Sequence, residues 1–317
     1  MLTEAAEAFW SYTRPGQDRP YFTQVDVSSS YREPDFSDDF RELHELCGRV
    51  SRREARRYEL LSVWRLARDQ TYGPWLKQHN PPIGQITFFG AEAMTDHFHR
   101  RRGAFADNLL ATQRLLELGM IPRWQVFLTK PNLGDMDGLA RLIDQLELRR
   151  RVADLGSEFD VYCHIAGPEG EAWHLEDVRI EEADLARVPP ELMDATRRHF
   201  GGKLTWESEG VLVGKVLAGM EIPTEQPAET WFFVNARRDV FPNCGHLDEH
   251  WRLGRLGRDS VAAMLQRFES NATPGLAAMH GADRADLARR FGRRDGRCLY
   301  APSDLLSRWL RLHLSGQ

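Results

Sequence analysis

Clustered cysteine is missing from this chain. Its 317 residues include Cys47, Cys163, Cys244 and Cys298, and no two of these lie within a short ligand spacing. That excludes a metal centre held by neighbouring thiolates, since such sites need ligands a few residues apart. Four scattered cysteines in a chain this long fit reduced thiols. No apolar run reaches the ~20 residues that a membrane-spanning helix needs. An excess of positive charge is also missing: 42 basic side chains face 47 acidic ones, a net charge of −5. This argues against nucleic acid or an anionic membrane surface as the main partner. The start of the chain, Met1 to Glu7, is acidic and lacks the pattern of a secretory signal. The expected location is therefore the cytoplasm. Lysine is scarce beside arginine, and alanine and leucine are frequent, the usage of a GC-rich bacterial gene.

What is present is alternation. Tyr21-Phe22-Thr23-Gln24-Val25-Asp26-Val27 is rich in aromatic and β-branched residues and predicts a strand. Ser51-Arg52-Arg53-Glu54 has capping-box spacing, and the helix it opens would place Leu60, Leu61, Trp64 and Ala67 on one face. Ile86 to Phe89 predicts the next strand. Gly103 to Gly119 predicts a helix with a stripe of Phe105, Leu109, Thr112 and Leu116 and a glycine C-cap. Strands at Trp124–Leu128 and Phe159–Ile165 flank a helix presenting Leu139, Leu142, Ile143 and Leu146. Strands and helices alternating through short links predict a parallel sheet with right-handed crossovers. Beyond Gly170 the alternation weakens. A helix is expected from Pro189-Pro190 to about Phe200. Thr205–Gly219 reads as a hairpin or irregular, Trp231–Asn235 as a strand, and Phe241-Pro242-Asn243 as a turn. Helices are expected from Gly257 onward, the last from about Ser303 to Leu314.

Three places carry a resemblance. Phe89-Gly90-Ala91-Glu92 closes a strand, Leu115 to Ile121 steps from a helix through Gly119 into the next strand, and Val240-Phe241-Pro242-Asn243 precedes Trp251 to Leu256. Together these resemble the radical-SAM family, whose second strand ends in Gly-Gly-Glu. The resemblance implies a fold of α/β class: a partial or full (β/α) barrel with a mostly helical C-terminal extension. It implies a helical segment over 1–20, the barrel and its tail over 21–256, and the extension packed on the barrel over 257–317.

The same resemblance exposes a conflict. The family's C-x3-C-x2-C loop binds a four-iron four-sulfur cluster whose free iron takes S-adenosylmethionine. One alignment of this chain puts Ser30, Pro34 and Ser37 at those positions. Neutral hydroxyls and a proline do not replace thiolates, so no iron–sulfur cluster is expected. Two readings follow. One is a pseudoenzyme that binds a small polar substrate, a peptide or a partner enzyme. The other is an enzyme using the barrel mouth for non-radical chemistry, with or without intact S-adenosylmethionine as a group donor.

In either case the groups placed at the mouth are Gly90, Glu92, Lys130 and Asn132 at strand ends, with Asp26 and Arg123 as further candidates. Glu92 matches the residue that receives the amino group of S-adenosylmethionine in the family; the alternative is a solvated helix cap. Arg123, Lys130 and Asn132 could contact a carboxylate or phosphate. Asp26 could line the interior or serve a structural hydrogen bond. Asp96, His97 and His99 form a D-x-x-H run with no third ligand at ligating distance in sequence, which favours a solvated loop. Cys163 and His164, as strand neighbours, point to opposite faces and do not form a nucleophilic pair.

Overall fold

The structure, a computed structural model, describes all residues except 1, 28–34, 56–59, 80–81, 169, 223–230, 244–245 and 317. The chain divides into two compact units. The first comprises residues 1–25, 167–177 and 205–317, and the second 26–166 and 178–204.

In chain order the elements are α1 (Leu2–Trp10), α2 (Phe40–Ser51), α3 (Val63–Arg68), α4 (Tyr72–His79), β1 (Ile83–Phe88), α5 (Glu92–Phe98), α6 (Ala104–Glu117), β2 (Ile121–Phe127), α7 (Met136–Gln145), α8 (Leu148–Ala153) and β3 (Val161–His164). There follow α9 (Pro190–His199), β4 (Glu207–Ser208), α10 (Glu209–Leu217), β5 (Phe232–Val234), β6 (Asp239–Pro242), β7 (Gly254–Arg255), α11 (Val261–Glu269), α12 (Pro274–Gly281), α13 (Arg284–Phe291), β8 (Leu299–Tyr300) and α14 (Pro302–Leu314).

The second unit is α/β. Strands β1, β2 and β3 lie side by side and parallel, Ile86 opposite Trp124 and Trp124 opposite Val161. Burial alternates along β1 and β2, because successive side chains point to opposite faces. One face carries Ile86, Phe88, Trp124, Val126 and Cys163, all fully buried. Trp124 stacks obliquely on Phe88 at 4.4 Å and donates its indole N–H to Thr112 Oγ1 of α6 at 3.0 Å. The other face carries Gln85, Thr87, Arg123, Gln125, Tyr162 and His164, and is polar.

Both edges of this sheet are occupied. Beyond β1, Leu60 forms a single parallel bridge with Gln85, and the Thr87 carbonyl accepts from the Asn108 amide at 2.7 Å. Beyond β3, the Cys163 N–H donates to Thr196 Oγ1 of α9 at 2.8 Å, while that hydroxyl donates to the Leu192 carbonyl. A helix side chain thus takes the place of a fourth ladder, and α9 covers an edge that would otherwise invite pairing. Among the described residues the parallel sheet has three strands.

Several sequence expectations are corrected here. Tyr21–Val27 forms no strand. Its aromatic residues pack instead against α1 and its neighbourhood, Phe22 on Phe9 at 5.6 Å and Tyr21 on Tyr12 at 5.7 Å. Asp26 is therefore not on a strand. Ser51 ends α2 rather than opening a helix, because Arg52 takes the left-handed conformation and closes α2. The following described helix is α3, capped by Ser62 accepting the Arg65 N–H at 3.1 Å. The buried stripe of α6 keeps the expected Thr112 and Leu116 but differs in the first half of the helix. Asp107 and Asn108 are buried in place of Phe105 and Leu109, since Asp107 pairs with Arg68 and Arg101 and Asn108 meets Thr87. Thr205–Gly219 is the short strand β4 followed by helix α10, not a hairpin. Phe241-Pro242 lies in β6, and the hairpin turn falls at 235–238, where the Asn235 carboxamide oxygen accepts the Arg237 and Asp239 amides.

The first unit has its own core, in which Leu212, Leu253, Leu305 and Trp309 are fully buried. Strands β5, β6 and β7 form an antiparallel sheet, and β4 pairs with β8. Trp251 fits because residue 275 is glycine: a Cβ there would lie 2.3 Å from the indole ring. The residues 205–256 that the sequence groups with the preceding strands cluster with 257–317 and with the N-terminal helix.

Candidate functional site

The carboxyl ends of β1 and β2 bring together two of the expected residues, Gly90 and Asn132. Gly90 has φ +121, a conformation that side-chain-bearing residues rarely adopt. A Cβ on it would stand 2.6 Å from Asp135 Oδ2 and 3.1 Å from the Cβ of Asn132. The same Asp135 oxygen accepts the Ala91 N–H at 2.9 Å. The glycine therefore makes room for a carboxylate of the protein itself. Replacing it tests this: Gly90→Ala should lower stability by about 2 kcal/mol from strained φ and forced displacement of Asp135. Chemical denaturation would register that loss, and an unchanged midpoint would show that the turn relaxes freely.

Asn132 is wholly buried. Its amide nitrogen donates to the Phe89 carbonyl at 2.7 Å and the Phe127 carbonyl at 2.6 Å, and its oxygen accepts the Thr129 N–H at 2.9 Å. It joins the ends of two strands, and both amide hydrogens are engaged. Lys130 is exposed and reaches Glu181 Oε1 at 2.7 Å. Glu92 is exposed in the first turn of α5. Asp26 receives the Arg53 guanidinium on both oxygens, one at 2.6 Å. Arg123 lies in the first half of β2, away from the carboxyl ends, and donates to Asp160 Oδ2 at 2.6 Å. So Gly90, Asn132 and the nearby Asp135 form one cluster, while Asp26 and Arg123 serve ion pairs elsewhere in the unit.

The D-x-x-H run also has an internal use. Burial works to raise the Asp96 carboxyl, but the amides of Phe105, Gly103 and Ala104 outweigh it and hold the group below its ordinary value. Asp96 accepts from Gly103 and Phe105 at 2.6 and 2.9 Å, satisfying the start of α6. His99 Nε2 lies 3.1 Å from the Thr87 carbonyl.

The polar face of the sheet holds residues that the sequence reading did not select. Tyr162 donates its hydroxyl to Gln85 Oε1 at 3.0 Å, Gln85 donates to Gln125 Oε1 at 3.3 Å, and Thr87 donates to the same oxygen at 3.3 Å. The His199 ring lies flat on Tyr162, 3.7 Å between centroids and 6° between planes. His199 Nδ1 sits 3.0 and 3.1 Å from the two Asp160 oxygens. Further along the face Phe127 stacks on Phe89 at 5.0 Å and meets His164 edge-on. Burial, then the charges of Arg179 and His199, lower the His164 pKa, so its ring is neutral near pH 7. The signal was present in sequence: Gln85, Thr87, Arg123 and Gln125 occupy alternate positions of their strands.

The three described thiols lie apart from one another. Cys47 is buried in α2, Cys163 is buried in β3 with its thiol pushed up to about 12 by burial, and Cys298 lies in the other unit. Among the described residues no three His, Cys, Asp or Glu side chains gather as a metal site. Ser30, Pro34 and Cys244 fall outside the described residues. No helix among those described is long and apolar enough to cross a membrane.

No protein-family model matches the chain, and no curated protein matches it. Among solved structures, the chain is similar to native anSMEcpe with bound AdoMet, at 10% identity and a TM-score of 0.45, over 87% of this chain and 78% of that one. It is similar also to native anSMEcpe with bound AdoMet and Cp18Cys peptide, at 11% identity and 0.45 over 87% and 79%, and to a polyhistidine-tagged anSMEcpe with bound AdoMet, at 11% and 0.46 over 87% and 75%.

Proposed function

We propose that this chain is a radical-SAM-like pseudoenzyme: a protein that keeps the strand-end motif of the family and binds a substrate, peptide or partner protein without cluster chemistry. The observation that carries the reading is at Gly90. In the resembling motif this turn approaches S-adenosylmethionine. Here the space beside it holds Asp135, and the donors of Asn132 are spent on the Phe89 and Phe127 carbonyls. Asp135 occupies the space on the Cβ side of Gly90 and Asn132 keeps no amide N–H for a ligand, so these two positions serve the protein's own turn. The thiol set adds to this, since a buried thiol held protonated is a poor iron ligand.

Two measurements test the reading. Calorimetric titration with S-adenosylmethionine should give no binding tighter than about 1 mM, or ~4 kcal/mol. Anaerobic reconstitution with iron and sulfide should leave no stoichiometric cluster. Micromolar affinity for S-adenosylmethionine would instead favour group transfer from the intact sulfonium, and about four irons per chain would overturn the reading outright.

A further inference from the structure

We propose that the loop between α13 and β8 is a docking surface for an acidic peptide segment, a run of Asp or Glu side chains. The inference deepens the reading above, on which it rests, by naming the chemistry of the peptide or partner protein.

Charge is unevenly spread along this chain. Residues 284–317 hold eight arginines against three aspartates, with no lysine or glutamate, although the whole chain has a net charge of −5. Arg289, Arg290, Arg293, Arg294 and Arg297 fall within one short stretch, and all are exposed. Another arginine run shows the ordinary fate of such residues. On α8, Arg149 pairs with Asp144, and Arg150 with Glu147 and Asp154. Acid is scarce at the α13–β8 loop. Arg289 and Arg290 share Asp286, at 3.9 and 3.8 Å. The guanidiniums of Arg293, Arg294 and Arg297 have no acidic partner among the described residues. A guanidinium is a planar fork that takes a carboxylate on two parallel hydrogen bonds.

The loop that carries them is held in shape by α10. The Gly296 N–H donates to the Arg293 carbonyl at 3.0 Å, closing a turn with Arg294 and Asp295 at its tip. The Gly210 N–H donates to the Gly296 carbonyl at 2.8 Å, and the Glu209 N–H to the Cys298 carbonyl at 2.9 Å. The buried Glu209 carboxylate accepts the Arg293 N–H at 3.1 Å. The fit is close. A Cβ on Gly210 would lie 2.5 Å from the Arg294 carbonyl oxygen, and one on Gly296 2.7 Å from Glu209 Oε2. Three unpaired cations therefore ride on a fixed backbone, which lowers the ordering cost of binding.

Two observations select a peptide over a nucleic acid. Single-stranded nucleic acid needs aromatic faces on which bases stack. Phe291 is the one aromatic residue in 289–298; it is half-buried, with the Arg290 guanidinium 4.8 Å from its ring centre and the His313 ring edge-on at 6.3 Å. Residues 1–283 are also strongly acidic, as the overall charge requires. A long polyanion meets that repulsion, whereas a short acidic segment feels the local field within a Debye length of ~8–10 Å.

The test uses the full chain at low salt and follows the fluorescence anisotropy of rhodamine-labelled probes: hexaglutamate, hexaglutamine and hexathymidylate. Hexaglutamate should bind saturably and hexaglutamine should not. Hexathymidylate should bind about tenfold more weakly than hexaglutamate. Arg293→Gln, Arg294→Gln and Arg297→Gln combined should weaken hexaglutamate about tenfold. The melting point should hold, because these side chains are exposed. Arg149→Gln, Arg150→Gln and Arg151→Gln combined remove the same charge from α8 and should leave the affinity unchanged. Arg294→Gln alone, at the tip of the turn, should weaken binding about threefold and keeps the test decisive if the triple variant folds poorly. No binding of hexaglutamate, equal losses in the two triple variants, or equal affinity for hexathymidylate would each overturn the proposal. The two inferences fail separately. Binding of S-adenosylmethionine defeats the pseudoenzyme reading whatever hexaglutamate does, and silent hexaglutamate with no S-adenosylmethionine binding defeats this one alone.

Discussion

Asn132→Ala should destabilise the second unit by about 3–5 kcal/mol, a large effect for a residue that sequence pattern presents as a ligand contact. The wild-type side chain satisfies three backbone groups at once: the carbonyls of Phe89 and Phe127 and the N–H of Thr129. The site is sealed from solvent, so the alanine variant leaves all three without partners. Each buried unpaired group costs roughly 1–3 kcal/mol, and water enters only by opening the strand ends. At about 2–4 °C per kcal/mol for a domain of 150–250 residues, the melting point should fall by roughly 10 °C. Glu92→Ala is the matched control. That carboxylate is exposed in the first turn of a short helix, and its loss should change stability by no more than about 0.5 kcal/mol. Melting curves for the two variants decide between roles. Equal, small losses would mean that Asn132 is a replaceable surface group and that the closed turn described above is wrong.

The contrast between these residues shows where sequence reasoning reached and where it stopped. The three parallel strands were legible because a buried sheet imposes a period of two, and Ile86, Phe88, Trp124 and Val126 obey it. Position followed as well: Gly90 and Asn132 do stand at strand ends. Their roles were not legible, because they depend on which carbonyls the neighbouring strand leaves bare. Tyr21–Val27 misled for a related reason. Alternating aromatic residues fit a pleated sheet, but they equally fit packing around a helix, and here Tyr21 donates its N–H to the Tyr12 carbonyl and its ring meets Tyr12 and Phe22. The polar relay could have been read from the alternation of Gln85, Thr87, Arg123 and Gln125. The contribution of His199, 37 residues beyond Tyr162, could not. Nor could the grouping of 1–25 with 167–177 and 205–317, since a discontinuous unit has no local signature.

Arg308→Met should lower the stability of the first unit by about 3–5 kcal/mol at pH 7.5, with the loss shrinking toward pH 5. Arg308 is nearly inaccessible on α14 and lies between two carboxylates, its Nε 3.3 Å from Glu176 Oε2 and its Nη1 3.3 Å from Glu209 Oε1. Tyr300 donates to the same Glu176 oxygen at 2.6 Å, and the Arg293 N–H donates to Glu209 at 3.1 Å. The arrangement ties α14 to the start of α10 and to the 3-10 turn Gly170–Val178. Burial raises the Glu209 carboxyl above its ordinary value; Arg308 and the Arg293 amide pull it down without fully offsetting that. A carboxyl whose folded pKa is raised holds its proton where the unfolded chain has released it. Its contribution is therefore fully present below the unfolded value of 4.5 and is lost as pH rises through the folded value. Removing the guanidinium takes away the largest opposing influence, so the folded pKa climbs further and the pH window of lost stability widens upward. Urea midpoints of wild type and variant at pH 5 and 7.5 measure this. Adding Glu209→Gln to Arg308→Met should abolish most of the pH-dependent part, because the neutral amide has no charge to strand. A deficit of equal size at both pH values, or one untouched by Glu209→Gln, would show that the lost stability is packing around the arginine stem and that Arg308 does not hold a buried charge in place.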